Sequence, residues 1–228
     1  MTTINTFSNR LAVVLFCLSM SVATAQQRFS AGPRIGANLS SFVGDANGYT
    51  YRPGLTAGVF VMYSSLNHFG ISVDALYSQM GAKYSAIDQN FGGLRSEFKQ
   101  RVSYIEVPVA LRYFLTTSGN FRPNLFFGPS LGFLIKGESS PHEFAGVQIP
   151  AVTNTNAFRN LDLGLMAGFQ LNFPGLGARQ RFLIDGRYRY GLSDITIDPN
   201  ASVHNSTFTL TLGYGFGVGP EYRSRYQR

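Results

Sequence analysis

His204-Asn205-Ser206 puts an imidazole and a hydroxyl two residues apart in a segment that opens with the alternation of a strand. Residues i and i+2 of a strand share a face, so such a histidine can draw the proton from such a serine, the chemistry of an acyl-transfer nucleophile. An activated serine also needs a third group to orient the ring. Glu221 is the only later carboxylate, and it stands at the far end of the strand that starts here. The pair therefore reads as a polar loop entering a strand. His68 and His142 have no Asp, Glu or Cys at metal-ligand spacing, and the run from Gly213 to Gly219 is not followed by a helix that could cradle a phosphate. The sequence implies no cofactor, no metal site and no catalytic residue.

A second set of reactive side chains is larger: Arg34, Asp74, Glu106, Arg112, Asp162, Asp185, Arg187 and Arg189. Each lies within an apolar stretch, in the phase of the small and polar positions. In YIEVPVALRYFL, residues 104–115, Glu106, Pro108 and Arg112 take even places while Ile105, Val107, Val109, Leu111 and Tyr113 take odd ones. Period two is the signature of a strand with two environments.

The same alternation recurs in eight segments: 28–39, 54–64, 69–79, 104–115, 124–135, 160–173, 181–192 and 206–218. Connections at 40–53, 80–101, 136–159 and 193–205 are long, and those at 65–68, 116–122 and 174–180 are short. Eight strands of ten or so residues, with long loops at one end and short turns and both termini at the other, predict an all-β chain. Its architecture is an eight-stranded antiparallel up-and-down transmembrane β-barrel. Pro33, Pro108 and Pro129 each remove a ladder donor, so bulges or locally lost ladder bonds are expected there.

The polar face is built of Gly, Ser, Thr and Asn with nearly balanced charges, Arg181 among them, which suits a narrow lumen better than a solvated exterior. Only 14% of residues are charged, 14% are aromatic and 25 are glycine. The apolar face is then the outside, with lipid as its solvent. On that face Phe29, Tyr63, Phe69, Tyr113, Phe127, Phe173, Phe182 and Phe216 fall toward the short-turn ends, as a membrane-interface girdle does.

Residues 1–25 read as a cleaved signal peptide: Arg10, the apolar LAVVLFCLSMSVA, then Ala23-Thr24-Ala25 before Gln26. Residues 26–219 form the barrel and 220–228 a basic tail. The only cysteine, Cys17, lies in the signal. Net charge is +7, yet the Lys and Arg residues are scattered instead of striped, which points away from nucleic acid and toward anionic lipid headgroups.

Tyr104-Ile105-Glu106-Val107-Pro108, Phe127-Gly128-Pro129-Ser130 and Arg187-Tyr188-Arg189-Tyr190-Gly191-Leu192 resemble strands of the PorT-like outer-membrane β-barrel family of Bacteroidota. Gly36-Ala37-Asn38 and Leu212-Gly213-Tyr214-Gly215-Phe216 fit it as well. The resemblance implies a place in the outer membrane of a Gram-negative bacterium, with both mature termini periplasmic. Outer-membrane lipid and lipopolysaccharide, the barrel-assembly machinery, and envelope or secretion-system proteins would be its partners. The family's named member serves type IX secretion. Where barrels of this kind commonly end on an aromatic residue, this chain continues past Phe216 into PEYRSRYQR. The expected function is a non-enzymatic barrel with a plugged lumen: an envelope scaffold, a loop-presenting binder or a secretion-associated component. The alternative is a lipid A-modifying enzyme, since His204-Asn205-Ser206 has the spacing of outer-membrane lipid A deacylases.

Overall fold

The computed structural model describes residues 29–45, 48–64, 68–88, 94–116, 119–140, 142–144, 147–177 and 179–218. The expected signal peptide and basic tail lie outside the described residues.

Eight strands close a ring: β1 (Phe29–Gly44), β2 (Tyr49–Ser64), β3 (Phe69–Asp88), β4 (Leu94–Phe114) and β5 (Asn124–Ser139), then β9 (Leu161–Pro174), β10 (Gln180–Gly191) and β11 (Val203–Val218). Three short strands, β6 (His142–Phe144), β7 (Val147–Ile149) and β8 (Val152–Thr153), belong to the connection between β5 and β9. Each ring strand pairs antiparallel with its chain neighbour, apart from the β5–β9 pair that spans this connection, and β1 pairs with β11 to seal the ring. None of the eight ring strands is left with an open edge along the ring, which is what spanning a bilayer with strands demands. No helix among the described residues is long and apolar enough to cross a membrane.

Paired residues traced around the ring from Phe29 pass through Tyr63, Ile71, Leu111, Phe127, Ala167, Tyr188 and Phe208 and return to β1 at Leu39, ten residues above the start. A stagger of that size across eight strands tilts them by about 40° and gives a backbone radius of about 8 Å. An arginine is nearly long enough to reach the axis.

The two faces are inverted relative to a water-soluble barrel. Ile35, Leu55 and Leu111 are 64%, 63% and 60% exposed, while their sequence neighbours Arg34, Thr56 and Arg112 are at most 2% exposed.

Residues 40–53 and 80–101, expected as loops, mostly continue the strands: β1 runs on to Gly44, β2 begins at Tyr49, and β3 and β4 extend to Asp88 and Leu94. The physical reason is solvent. Above the apolar belt both faces tolerate polar side chains, so Lys83, Lys99 and Arg101 erase the alternation while the ladder persists.

Pro33, Pro108 and Pro129 cost ladder pairs without shifting register, whereas Pro53 lies within a register shift. Pairing of β1 with β11 is interrupted between Ala31 and Arg34 and resumes in step, and that of β4 with β5 is interrupted between Pro108 and Leu111. The irregularities of register lie between Tyr51 and Thr56 and between Ser103 and Tyr104.

Candidate functional site

The interior side chains come from every ring strand and form layers. At the short-turn end Phe60, Met62, Phe114 and Leu183 make an apolar floor. Gly213 and Gly215 on β11 make room for it: a Cβ on Gly215 would stand 3.2 Å from the Phe60 ring, and one on Gly213 would stand 3.5 Å from Leu183. The fit is tight at Gly215 and ordinary contact at Gly213.

Above the floor lies the first charged tier. Arg34 Nη1 meets Asp185 Oδ2 at 2.9 Å and Asp74 Oδ2 at 3.2 Å; Arg187 bridges the same two carboxylates at 2.8 Å through Nε and 3.0 Å through Nη2. Arg112 Nη2 lies 3.6 Å from Asp185, while its Nε donates to Ser72 Oγ at 2.8 Å and its Nη1 to Asn124 Oδ1 and Gln170 Oε1, both at 2.9 Å. Phe60 and Phe126 supply ring faces: Arg34 stands 4.9 Å from the first centroid, and Arg112 and Arg187 stand 4.5 and 5.5 Å from the second. Three guanidiniums against two carboxylates leave one positive charge, which those rings and Gln170 help to solvate.

The second tier has the opposite balance. Arg189 pairs with Asp162 at 3.0 Å and with Glu106 at 3.5 Å. Glu106 also accepts hydrogen bonds from Ser130 and Ser78 at 2.7 and 3.0 Å, and Asp162 accepts one from Asn205 at 2.7 Å. The eight predicted charges are thus brought together, neutral as a set, but divided into a tier with one extra cation and a tier with one extra anion. Arg181 joins neither and lies at the short-turn mouth.

An apolar cap closes the upper end. Phe42, Met80, Ala82, Val102 and Tyr104 surround Ile195, which comes from the connection between β10 and β11 and is fully buried. A single bridge between Phe158 and Thr196 ties this connection to the one between β5 and β9.

Sequence reasoning missed the uncharged members: Gln170, Ser72, Ser78, Ser130, Asn124 and Asn205. Their inward phase carried the signal, but short polar residues are common on any lumen face. Phe60 and Phe126 broke the pattern as large rings in the polar phase, and that anomaly could have flagged arginine partners.

Outside, Phe29 packs on Tyr63 at 5.0 Å, and Phe69 on Tyr113 at 5.4 Å. Phe173 and Phe182 are cross-strand partners, and Phe216 contacts Tyr214 at 5.2 Å. With a stagger of ten, each strand-to-strand step climbs about 3 Å. Phe127, four pairing steps from Phe29 around the ring, sits about 12 Å above its level. Phe121 stands at that level instead, 5.1 Å from Phe173. A second group of outward aromatics marks the upper side of the belt: Tyr51 and Tyr188 pack on Phe208 at 6.1 and 4.6 Å.

His204 does not bond to Ser206. Its Nε2 lies 3.2 Å from Ser202 Oγ and its Nδ1 lies 3.0 Å from the Ser193 carbonyl, while Ser206 Oγ is 3.0 Å from the Tyr188 hydroxyl. His68, with a positive φ of 62°, caps a turn by bonding the Phe114 carbonyl at 2.5 Å. On the extension of β5 above the belt, Lys136 and Arg101 both bond to Glu138 and hold its carboxyl down to about 2.

A family model described as outer membrane protein beta-barrel domain matches residues 24–196. Among solved structures, OprG from Pseudomonas aeruginosa is 12% identical with a TM-score of 0.47, over 87% of this chain and 99% of that one. Neisserial surface protein A is 12% identical with a TM-score of 0.45, over 83% and 97%. Ail, the attachment invasion locus protein of Yersinia pestis, is 18% identical with a TM-score of 0.42, over 83% and 99%. No curated protein matches the chain in sequence.

Proposed function

The chain belongs to the outer membrane protein beta-barrel domain family, and from that premise we propose that it is a non-enzymatic envelope barrel whose plugged lumen carries no solute. It serves as a scaffold, as a loop-presenting binder or as a PorT-like, secretion-associated component of the Bacteroidota outer membrane. Its short-turn end and mature termini face the periplasm, and lipopolysaccharide surrounds the opposite rim.

The observation that carries this reading is the two-tier ion-pair network, whose side chains are all at most 7% exposed. Charges taken out of water are tolerable only when paired and hydrogen-bonded, so this interior is built to be filled and not to conduct. In a planar bilayer the purified protein should show no steady porin-like current. Glu106→Ala should lower the unfolding midpoint and raise conductance little. Large, persistent single-channel steps in the unmodified protein would move the reading to a pore.

A lipid A-modifying enzyme is the second reading, and the Ser202–His204 contact of 3.2 Å favours it. The imidazole there has a hydroxyl on one nitrogen and a carbonyl on the other, as a serine–histidine pair requires. Lipid A from cells expressing the unmodified chain or Ser202→Ala should be identical in mass if the first reading holds. A species lost only in the variant would favour the second.

A further inference from the structure

The periplasmic-side mouth departs from the charge balance of the lumen. A cavity of about 240 Å3 opens there beneath the apolar floor, and Arg122, Arg179 and Arg181 all line it. No carboxylate among the described residues lines it with them. Inside the barrel Arg34, Arg112, Arg187 and Arg189 each meet an acid; at this mouth Arg122 and Arg181 meet none among the described residues, and Arg179 lines the same space.

Their positions are built. The Arg122 backbone N–H donates to the Asn172 carbonyl at 2.9 Å, and its guanidinium lies 5.0 Å from the Phe114 ring centroid. Arg181 Nη1 donates to the Asn120 carbonyl at 2.9 Å. The Arg179 carbonyl accepts from Gly217 N–H at 2.7 Å. Arg122 Nε and Asn172 Oδ1 are buried without a hydrogen-bond partner. Burial and the charge of Arg181 both pull the Arg122 proton affinity down, the direction expected of a cation held beside another cation. A buried donor left unpaired is costly, and a bound anion would satisfy Arg122 Nε; the Asn172 Oδ1 acceptor would be served by a water that accompanies it.

We propose that this basin is a binding site for a phosphate-type oxyanion. Guanidiniums offer paired, parallel N–H donors that match two oxygens of a phosphate at once, which ammonium groups do not. The volume is about eight times a water molecule's share of the liquid, room for a phosphate group and several waters. The lower aromatic ring encircles this mouth, so the phosphate comes either from a phospholipid headgroup of the adjacent leaflet or from free phosphate in the aqueous compartment.

The test uses the folded barrel in two settings: uncharged maltoside micelles titrated with inorganic phosphate, and phosphatidylcholine nanodiscs with or without phosphatidylglycerol. Saturable phosphate binding in micelles, weakened about tenfold or more by Arg122→Gln or Arg181→Gln, identifies free phosphate as the source. Enrichment of phosphatidylglycerol around the barrel, lost in the same variants and without binding in micelles, identifies the headgroup. Arg159→Gln, at the opposite mouth, should change neither. Heat-modifiable gel migration certifies that each variant has folded, and either arginine variant alone suffices. Absence of saturable binding in both settings, or equal weakening by Arg159→Gln, overturns the proposal.

Discussion

The guanidinium of Arg187 on β10 meets the carboxylate of Asp74 on β3 at 3.0 Å, although these strands stand four places apart in a ring of eight. The bond runs across the barrel's diameter. A backbone radius of about 8 Å makes this possible, because a long arm from one wall and a short one from the other together span the gap.

Asp74 also accepts Arg34 at 3.2 Å, in a tier that already holds one more cation than anion. Asp74→Ala would leave the three guanidiniums of the tier to share Asp185 alone. We expect it to lower stability by about 3–5 kcal/mol, read as a shift of the urea midpoint of the barrel in detergent. Asp74→Asn retains an acceptor oxygen and should lose clearly less. Equal losses would mean that the charge of Asp74, and not its acceptor oxygen, carries its whole contribution to the tier.

Val109 faces outward on β4 opposite Val73 on β3, near the middle of the apolar belt, whereas Gln79 faces outward where the belt gives way to polar side chains. Val109→Arg should cost about 2–4 kcal/mol in lipid vesicles and Gln79→Arg about 1 kcal/mol or less. Reversible folding titrations into vesicles measure both. A similar cost at the two positions would contradict lipid as the solvent of this face.

The ring was legible because lipid on one side and a packed lumen on the other impose a strict period of two, and Ile105 to Tyr113 show it plainly. Legibility stopped where one of those solvents changed. At Lys83 and Lys99 water lies outside the ladder, so the strands continue without their pattern. Phe127 has the outward phase of the girdle but not its height, because height depends on stagger, and stagger is a property of pairing that no single strand encodes. The charges were readable as a balanced set. Their division into tiers was not, since it depends on which strands face each other across the axis.

Gly164 on β9 shows how tightly the second tier is fitted. A Cβ there would come within 2.9 Å of Arg189 Cζ and 2.8 Å of the Tyr190 carbonyl oxygen. Gly164→Ala should push the guanidinium away from Asp162 and cost about 1–3 kcal/mol. In a background of Arg189→Ala most of that cost should vanish, which a double-mutant cycle of unfolding free energies would register. A full cost in both backgrounds would assign the strain to the backbone contact with Tyr190 instead.

The connection between β10 and β11 is fastened over the upper mouth by Asp194 and Ile195. Asp194 Oδ1 accepts the backbone N–H groups of Thr196 and Val203 at 3.1 and 3.0 Å, and its other oxygen lies 3.8 Å from Arg159. Burial raises the carboxyl's proton affinity, but the Val203 and Thr196 donors and the Arg159 charge outweigh it and leave the group below the ordinary aspartate range. A carboxyl lowered by folding contributes fully above its unfolded value of about 3.9 and loses that contribution as pH falls through the lower folded value. The fastening should therefore be unchanged between neutral pH and about pH 5 and weaken only below about pH 4. Ile195 supplies the apolar half, packed among Phe42, Met80, Val102 and Tyr104. Asp194→Ala should lower the protection of the Val203 amide against hydrogen exchange, taken as the intrinsic exchange rate over the observed one at each pH, and abolish the further fall in protection below about pH 4. Ile195→Ala should speed exchange across the connection at every pH, because the lost contact is apolar and does not titrate. If Ile195→Ala leaves exchange unchanged, the connection is held by its polar contacts, those of Asp194, Arg159 and His204 and the Phe158–Thr196 bridge among them, and the cap is a consequence of the loop's path instead of its cause.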